Sequence, residues 1–333
     1  MEKLFNKVEL TNELSKNDII ELLNSDGELL FKKADEVRKK HIGNLIHLRA
    51  LIEFSNICKR NCAYCGLRCQ NSNINRYSLT KNEILQTAKH AIDLGYKTIV
   101  LQSGEGDTTN IKALGEALLE IKKYDVAITL SIGELSYENY EYLKKCGADR
   151  FLLRIETTNE QLYNNLHPNM SFENRKNCLY NIKKSGYEVG TGVLVGLPNQ
   201  SIESLAEDIL FFKSINADMI GVGPFIPHND TPLKDELAGE LNLALKVMAI
   251  TRLLLPDINI PATTAMEVIE KNGRLKALKA GANVIMVNVT DENVRKNYEI
   301  YAGKCSVDYS KIKEDLLSIG RNISYSKGFR GEK

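Results

Sequence analysis

Three cysteines, Cys58, Cys62 and Cys65, stand in a C-x3-C-x2-C run, with Tyr64 before the third and Gly66 after it. Thiolate is a soft, charged donor that suits iron in iron–sulfur clusters. Three thiolates on one loop can grip three corners of a cubane and leave one iron open for a chelating small molecule. Cys69 follows closely, so a four-thiolate zinc site is an alternative. Structural zinc usually takes its cysteines as two separated pairs, and four on one tight loop fit it less well. Chance clustering of buried thiols is the second alternative.

These residues need elements to position them. Short β-rich runs fall at 47–54, 97–102, 126–131, 149–155, 188–195, 217–223, 257–262 and 282–287. Amphipathic helical segments lie between them at 80–94, 109–122, 136–145, 172–185, 201–214, 240–254 and 265–280. Gly95, Gly147, Gly186 and Gly281 stand where helices should stop. Thr80 and Glu83 have capping-box spacing, and Asn12, Asn17 and Asp18 are candidate caps in the N-terminal stretch. Strict alternation predicts an α/β fold with a parallel sheet, and eight units predict a (β/α)8 TIM-type barrel; an open doubly wound sheet is the alternative. The expected divisions are 1–45 as an N-terminal helical extension, 46–290 as the barrel and 291–333 as a C-terminal extension closing it. In such a barrel reactive groups sit at C-terminal strand ends. The cysteine run follows the first strand and obeys that rule.

The chain has 333 residues and a net charge of +1, which supplies no strong field to attract nucleic acid. The basic residues Lys32, Lys33, Arg38, Lys39 and Lys40 read as the solvated face of a helix. The stretch from Met1 to Leu10 lacks the apolar core of a signal peptide, and no apolar run is long enough to span a bilayer. A cytoplasmic location is expected. Seven cysteines without an export signal argue against a disulfide framework. Cys146 and Cys178 fall on helical segments and read as packing residues.

The cysteine spacing with Tyr64 resembles the radical S-adenosylmethionine (SAM) superfamily. The resemblance implies a [4Fe-4S] cluster on Cys58, Cys62 and Cys65 and SAM chelated to the fourth iron. It places Tyr64 near the adenine, and Gln102, Ser103, Gly104 and Glu105 in the position of the family's GGE-like motif. Glu156 falls near the sulfonium or ribose, with Arg154 and Arg175 as candidates for the SAM carboxylate. The bland reading of those three is a salt bridge at the barrel rim. Thr129 and Ser131 end the third strand and can reach the same cavity.

Longer strings are more specific. Ile52–Asn56, Lys97–Glu105, Gly221–His228 with Asp230–Pro232, Ile260–Met266 and Gly281–Met286 resemble the HydE family of [FeFe]-hydrogenase maturases, over roughly residues 45 to 303. The resemblance implies assembly of the diiron subcluster from a small organometallic or cysteine-derived substrate. It implies the maturases HydG and HydF as partners, a ferredoxin or flavodoxin as electron donor, and anaerobic life. Met219, Ile226, Thr263, Thr264, Met286 and Tyr301 are the candidates for the substrate cavity. Thr263 and Thr264 equally suit N-capping, and His228 reads as a structural loop histidine. Some family members hold a second cluster on three C-terminal cysteines. Here only Cys305 falls in that region and Tyr309 offers no thiolate, so no second cluster is expected. Two alternatives remain open: an amino-acid mutase such as methylornithine synthase, and a metal-binding scaffold without catalysis.

Overall fold

The computed structural model describes residues 1–106, 111–304 and 309–332. Three helices lead in: α1 (Glu2–Thr11), α2 (Lys16–Asn24) and α3 (Gly27–Ile42). Then come β1 (Leu45–Ser55), α4 (Lys81–Asp93), β2 (Thr98–Ser103), α5 (Ile111–Ile121), β3 (Ala127–Ser131), α6 (Tyr137–Lys145) and β4 (Arg150–Leu152). The second half runs α7 (Glu160–Leu166), α8 (Phe172–Lys184), β5 (Glu188–Val195), α9 (Ile202–Ser214), β6 (Met219–Pro224) and α10 (Leu241–Leu254). It ends with α11 (Thr264–Ile269), α12 (Gly273–Lys279), β7 (Val284–Asn288), α13 (Glu292–Arg295), α14 (Tyr309–Ser318) and β8 (Asn322–Ser324).

The strands pair in parallel in the order β6-β5-β4-β3-β2-β1-β7, and β8 adds to the start of β1. The expected strand at 257–262 forms no ladder. It makes single bridges, Met219↔Asn259 and Pro261↔Val284, which link β6 to β7 and close the ring. Two local facts explain the missing ladder. Pro261 has no N–H to donate, and the Ile260 N–H bonds to the Asn283 side chain at 2.8 Å. The fold is therefore the (β/α)8 barrel that the alternation predicts.

Alternation along β1 sorts two environments. Ile46, Leu48, Ala50 and Ile52 are buried in the hydrophobic core beneath the helices. His47, Arg49, Leu51 and Glu53 turn to the barrel axis, where Arg49 reaches across to Met219 at 2.9 Å.

Local chemistry sets the helix ends. Thr80 and Glu83 close the expected capping box on α4. Gly95, Gly147, Gly186 and Gly281 follow their helices with φ between 81° and 109°, a region open mainly to glycine. Asn12 is a cap of the other kind: it ends α1 with φ 53°, while Ser15 and Asp18 close a capping box on α2. Asn17 lies inside that helix. The expected helix at 265–280 is broken between α11 and α12, where Asn272 takes φ 64°. Helix α7 has a seven-residue span with too little periodicity to read in advance. The beginning of the 109–122 segment lies outside the described residues, as does Cys305. No helix among the described residues is long and apolar enough to cross a membrane.

Candidate active site

The loop after β1 is held open by hydrogen bonds rather than by its own secondary structure. Arg76 donates to the carbonyls of Asn56, Leu67, Arg68 and Asn71 at 2.7–3.2 Å. Asn56 donates to the carbonyls of Asn75 and Asn297 and accepts from the Tyr77 N–H. This frame presents Cys58, Cys62 and Cys65, all half-buried, at the C-terminal mouth of the barrel. Burial raises all three thiols, Cys65 to about 12, and Cys62 feels the charge of both others. Thiolates so placed need cationic partners to be stable. Among the described residues no three His, Cys, Asp or Glu side chains converge closely enough to share a single ion. A cubane asks for less convergence, because each thiolate binds its own iron. The donor set therefore fits a cluster better than one zinc ion. Cys69 is exposed at the end of the loop, with its N–H on the Arg60 carbonyl at 2.8 Å.

Gly104 lies under this loop. A Cβ there would stand 2.4 Å from the Ile57 carbonyl and 2.8 Å from the Cys58 Cβ. The close approach that glycine permits is thus to the chain's own cysteine loop. Ser103 turns its hydroxyl to the Gly104 carbonyl at 2.8 Å, and Gln102 stands level with Ser131 on β3. The Glu105 carbonyl accepts from Lys59 N at 2.7 Å. The Glu105 carboxylate accepts from Arg60 at 2.6 Å and from the Glu134 N–H at 3.0 Å.

Arg60 and Glu134 did not stand out in the sequence, yet they join the site together. Glu134 pairs with Arg60 at 3.1 Å and with Arg175 at 2.7 Å. Arg175 also donates to the Arg154 carbonyl and is held by its partners above the ordinary arginine range. The guanidinium expected to fork a ligand carboxylate is therefore already engaged with Glu134. The rule that chemistry sits after strands points to Glu134, three residues past β3; Arg60 sits between two cysteines.

Arg154 and Glu156 are different. Their side chains stand 3.1 Å apart, yet Arg154 Nε and Nη2 and Glu156 Oε2 are buried without a hydrogen-bond partner. Burial raises the Glu156 carboxyl above its usual range, against the pull of Arg154 and Arg175. Glu156 also adopts φ 65°, a costly conformation for a side chain of its size. Here β4 is shorter than the expected 149–155: it stops at Leu152, and pairing resumes at the single bridge Glu156↔Val193. Within the interruption the Ile155 N–H turns to the Thr191 hydroxyl oxygen at 3.1 Å.

Tyr64 is fixed from behind. Its hydroxyl lies 3.0 Å from His167 Nε2, and His167 Nδ1 lies 2.9 Å from the Tyr163 carbonyl. Burial lowers His167 to about 3 and keeps it neutral. Nδ1 therefore carries the proton toward the carbonyl, and Nε2 accepts from Tyr64.

The remaining candidates spread down the barrel. Thr264 and Tyr301 meet at 2.5 Å, joining α11 to the segment after α13. Thr263 has no side-chain capping bond and lies 3.5 Å from the Val222 carbonyl. Ile226 is buried just past β6. Met219 touches Arg49, Met286 stands in register with Arg49, and Thr129 is level with Arg150, all deeper than the mouth. The Thr129 hydroxyl is buried without a partner. His228 lies 3.5 Å from Glu299. Cys146 and Cys178 are buried.

A parallel barrel with three thiols on its first loop and, facing them, an ion pair with incomplete hydrogen bonding defines a cluster-binding barrel enzyme. Residues 52–212 match the Radical SAM superfamily, and residues 222–320 match the Biotin and Thiamin Synthesis associated domain. The chain is 53% identical over 280 residues to the [FeFe] hydrogenase maturase subunit HydE of Thermotoga maritima, covering 84% of this chain and 80% of that protein. It is 34% identical to the 3-methylornithine synthase of Methanosarcina acetivorans, over 82% of this chain and 79% of that protein. A crystal structure of methylornithine synthase superposes with a TM-score of 0.86 at 28% identity, covering 96% of this chain and 97% of that one. This chain belongs to the HydE family of the radical SAM superfamily. Membership brings a [4Fe-4S] cluster and SAM as cofactors, and the three cysteines the cluster requires are present.

Proposed function

We propose that this chain is a HydE-type maturase that cleaves SAM reductively in building the diiron subcluster of [FeFe]-hydrogenase. The observation that carries the reading is the facing arrangement of three thiols raised by burial and the Arg154–Glu156 pair, whose facing atoms stand 3.1 Å apart without a hydrogen bond. Cys58, Cys62 and Cys65 would hold the cluster. Arg154 and Glu156 would take the polar groups of SAM, since their buried atoms lack hydrogen bonds that a ligand can supply. Tyr64, held by His167, would flank the adenine. When bound, the reduced cluster would supply one electron to the bond between the sulfur and the 5′ carbon of SAM, and cleavage of that bond would give methionine and a 5′-deoxyadenosyl radical.

In this reading Arg175 orients the site through Glu134 and Arg154 rather than by gripping SAM itself. Thr264 and Tyr301 close the substrate side with a small polar surface. Residues 46–290 form the working barrel, and 291–333 close it. The substrate is small and organometallic or cysteine-derived. HydG supplies it, HydF receives the product, and a ferredoxin or flavodoxin delivers the electron.

The test is anaerobic reconstitution followed by a maturation assay. Material with about four irons per chain should form 5′-deoxyadenosine from SAM under reduction. Added to HydF, HydG and apo-hydrogenase, it should restore hydrogen evolution. Formation of methylornithine from lysine, with no hydrogenase activation, would replace this reading with the mutase one.

A further inference from the structure

The end of the barrel opposite the cysteines is filled by the chain itself. Residues 326–332 lie across the strand starts. Ser326 approaches His47 on β1 at 3.5 Å. The Lys327 carbonyl accepts from Thr98 on β2 and from Arg150 on β4, each at 2.8 Å. The Lys327 ammonium pairs with Asp125, ahead of β3. The Gly328 carbonyl accepts from Arg49 at 3.2 Å and from Asn259 at 3.0 Å. The Phe329 ring lies 4.4 Å from the Arg150 guanidinium. Arg330 bonds to Glu188 through its N–H at 2.7 Å, and its guanidinium pairs with Asp218 at 3.1 Å and Asp257 at 2.9 Å.

These contacts reach the start of every strand from β1 to β6 and the 259–261 segment. Two of the groups served, Arg49 and Arg150, are almost completely buried on the barrel axis. Arg150 has one carboxylate partner, Glu188, at 2.6 Å. The hydrogen bonds of Arg49 go to Met219 sulfur and to the Gly328 carbonyl. A buried guanidinium with so few acceptors is costly where its N–H groups go unmatched; the Lys327 and Gly328 carbonyls match part of the two groups, and Arg49 Nε stays buried without a hydrogen-bond partner. Gly328 is the tight point. It takes φ 61°, and a Cβ would stand 2.8 Å from the His47 ring.

We propose that Ser326–Glu332 is the floor of the reaction chamber, positioning Arg49 and Arg150 on the barrel axis and barring water from below. The proposal deepens the maturase reading, since it is that chemistry which needs a chamber closed at one end. A closed floor keeps the interior dry and lets charge inside it act at full strength. The floor residues touch neither cluster nor SAM, so they are positioning residues.

The experiment compares the reconstituted full chain with Gly328→Ala and, separately, Arg330→Ala. Arg330→Ala is the milder change and serves if Gly328→Ala does not fold. Solvent access from below is read by hydrogen–deuterium exchange at the His47 imidazole carbon, followed by mass spectrometry. Both variants should keep four irons and their spectroscopic response to SAM, and should form 5′-deoxyadenosine alone within about twofold of the parent. His47 exchange should quicken at least tenfold, and hydrogenase activation should fall at least tenfold. Unchanged His47 exchange in both variants overturns the proposal, and so does parental activation in a variant whose His47 has become accessible. If the parent chain itself activates no hydrogenase, the maturase reading falls. His47 exchange then decides the floor by itself.

Discussion

The two ends of the barrel are lined by charged groups in similar number, yet they treat them differently. At the floor, Arg150, Glu188, Asp218, Asp257 and Arg330 find partners within the chain. At the mouth, the Arg60–Glu105–Glu134–Arg175 series is equally well paired, whereas Arg154 and Glu156 beside it stand as an ion pair at 3.1 Å whose facing atoms make no hydrogen bond. Where the chain fills a polar space itself, charges serve stability. Where it leaves polar atoms buried and unmatched, it holds a place for a ligand. Charge or burial alone does not separate the two ends; the floor leaves Arg49 Nε unmatched, while the mouth leaves unmatched atoms on both members of the Arg154–Glu156 pair.

The sharpest way to break this comparison is to remove the mouth's thiols. Replacing Cys58, Cys62 or Cys65 with alanine should abolish the cluster and cut 5′-deoxyadenosine formation by about 100-fold or more, because a cubane with two protein ligands is poorly held. Cys69→Ala should leave about four irons in place. Iron analysis and product chromatography check both. Loss of the cluster in Cys69→Ala would make the exposed thiol a ligand and return the four-thiolate reading. Next in size is the floor. Glu188→Ala strips Arg150 of its carboxylate and should cost about 3–5 kcal/mol of stability, as broken buried pairs do. Thermal unfolding reads that loss, while the KM for SAM should not move.

The mouth should answer in the opposite currency. Glu156→Gln keeps the shape of the side chain and removes its charge. Losing one charge-assisted contact is worth about 1.5–3 kcal/mol, so the KM for SAM should rise roughly ten- to 100-fold. Stability should hold or improve, since burial already raises that carboxyl. A variant that unfolds easily but binds SAM normally would place Glu156 with the structural charges.

Much of this was legible from residue types. The three thiols, the alternating strands and helices and the glycine stops each depend on local spacing, and the structure has each in place. Glu134 was not legible, because its partners Arg60 and Arg175 come from other βα units. Nor was the role of Arg175, whose charge suits a ligand carboxylate as well as a neighbouring glutamate. The 257–262 segment read as a strand from its apolar residues, but Pro261 withholds a ladder bond. The final residues read only as an extension closing the barrel, with no sign of which end they close. Their work depends on Arg49 and Arg150, remote in sequence and invisible to periodicity. Asn12 shows the same limit at short range, since asparagine suits either end of a helix and the choice fell to Ser15.

The smallest expected effect lies between the two ends, at Asp208 on α9. Its Oδ1 accepts from the N–H and hydroxyl of Thr158 at 2.5 and 2.6 Å, tying α9 to the turn that follows Glu156. Its Oδ2 is buried without a partner. Burial raises this carboxyl from 3.8 to about 7, with Thr158 pulling it down and Glu207 and Glu156 pushing it up. The sign follows from proton counting. Above about pH 4 the unfolded chain has lost this proton and the folded chain keeps it, so folding is favoured at low pH and weakens as pH rises through 7. Between pH 6 and pH 8 the loss from this group should be about 1.4 kcal/mol. Asp208→Asn retains an acceptor for Thr158 and cannot titrate. The gap between parent and variant should therefore shift in favour of the variant by that amount across the interval, read from denaturant unfolding at each pH. A parallel course for the two proteins would mean that Asp208 is ionised throughout. The turn carrying Glu156 would then be tied down by a charged anchor, and the contrast between the better-matched floor and the less-matched mouth would lose its intermediate case.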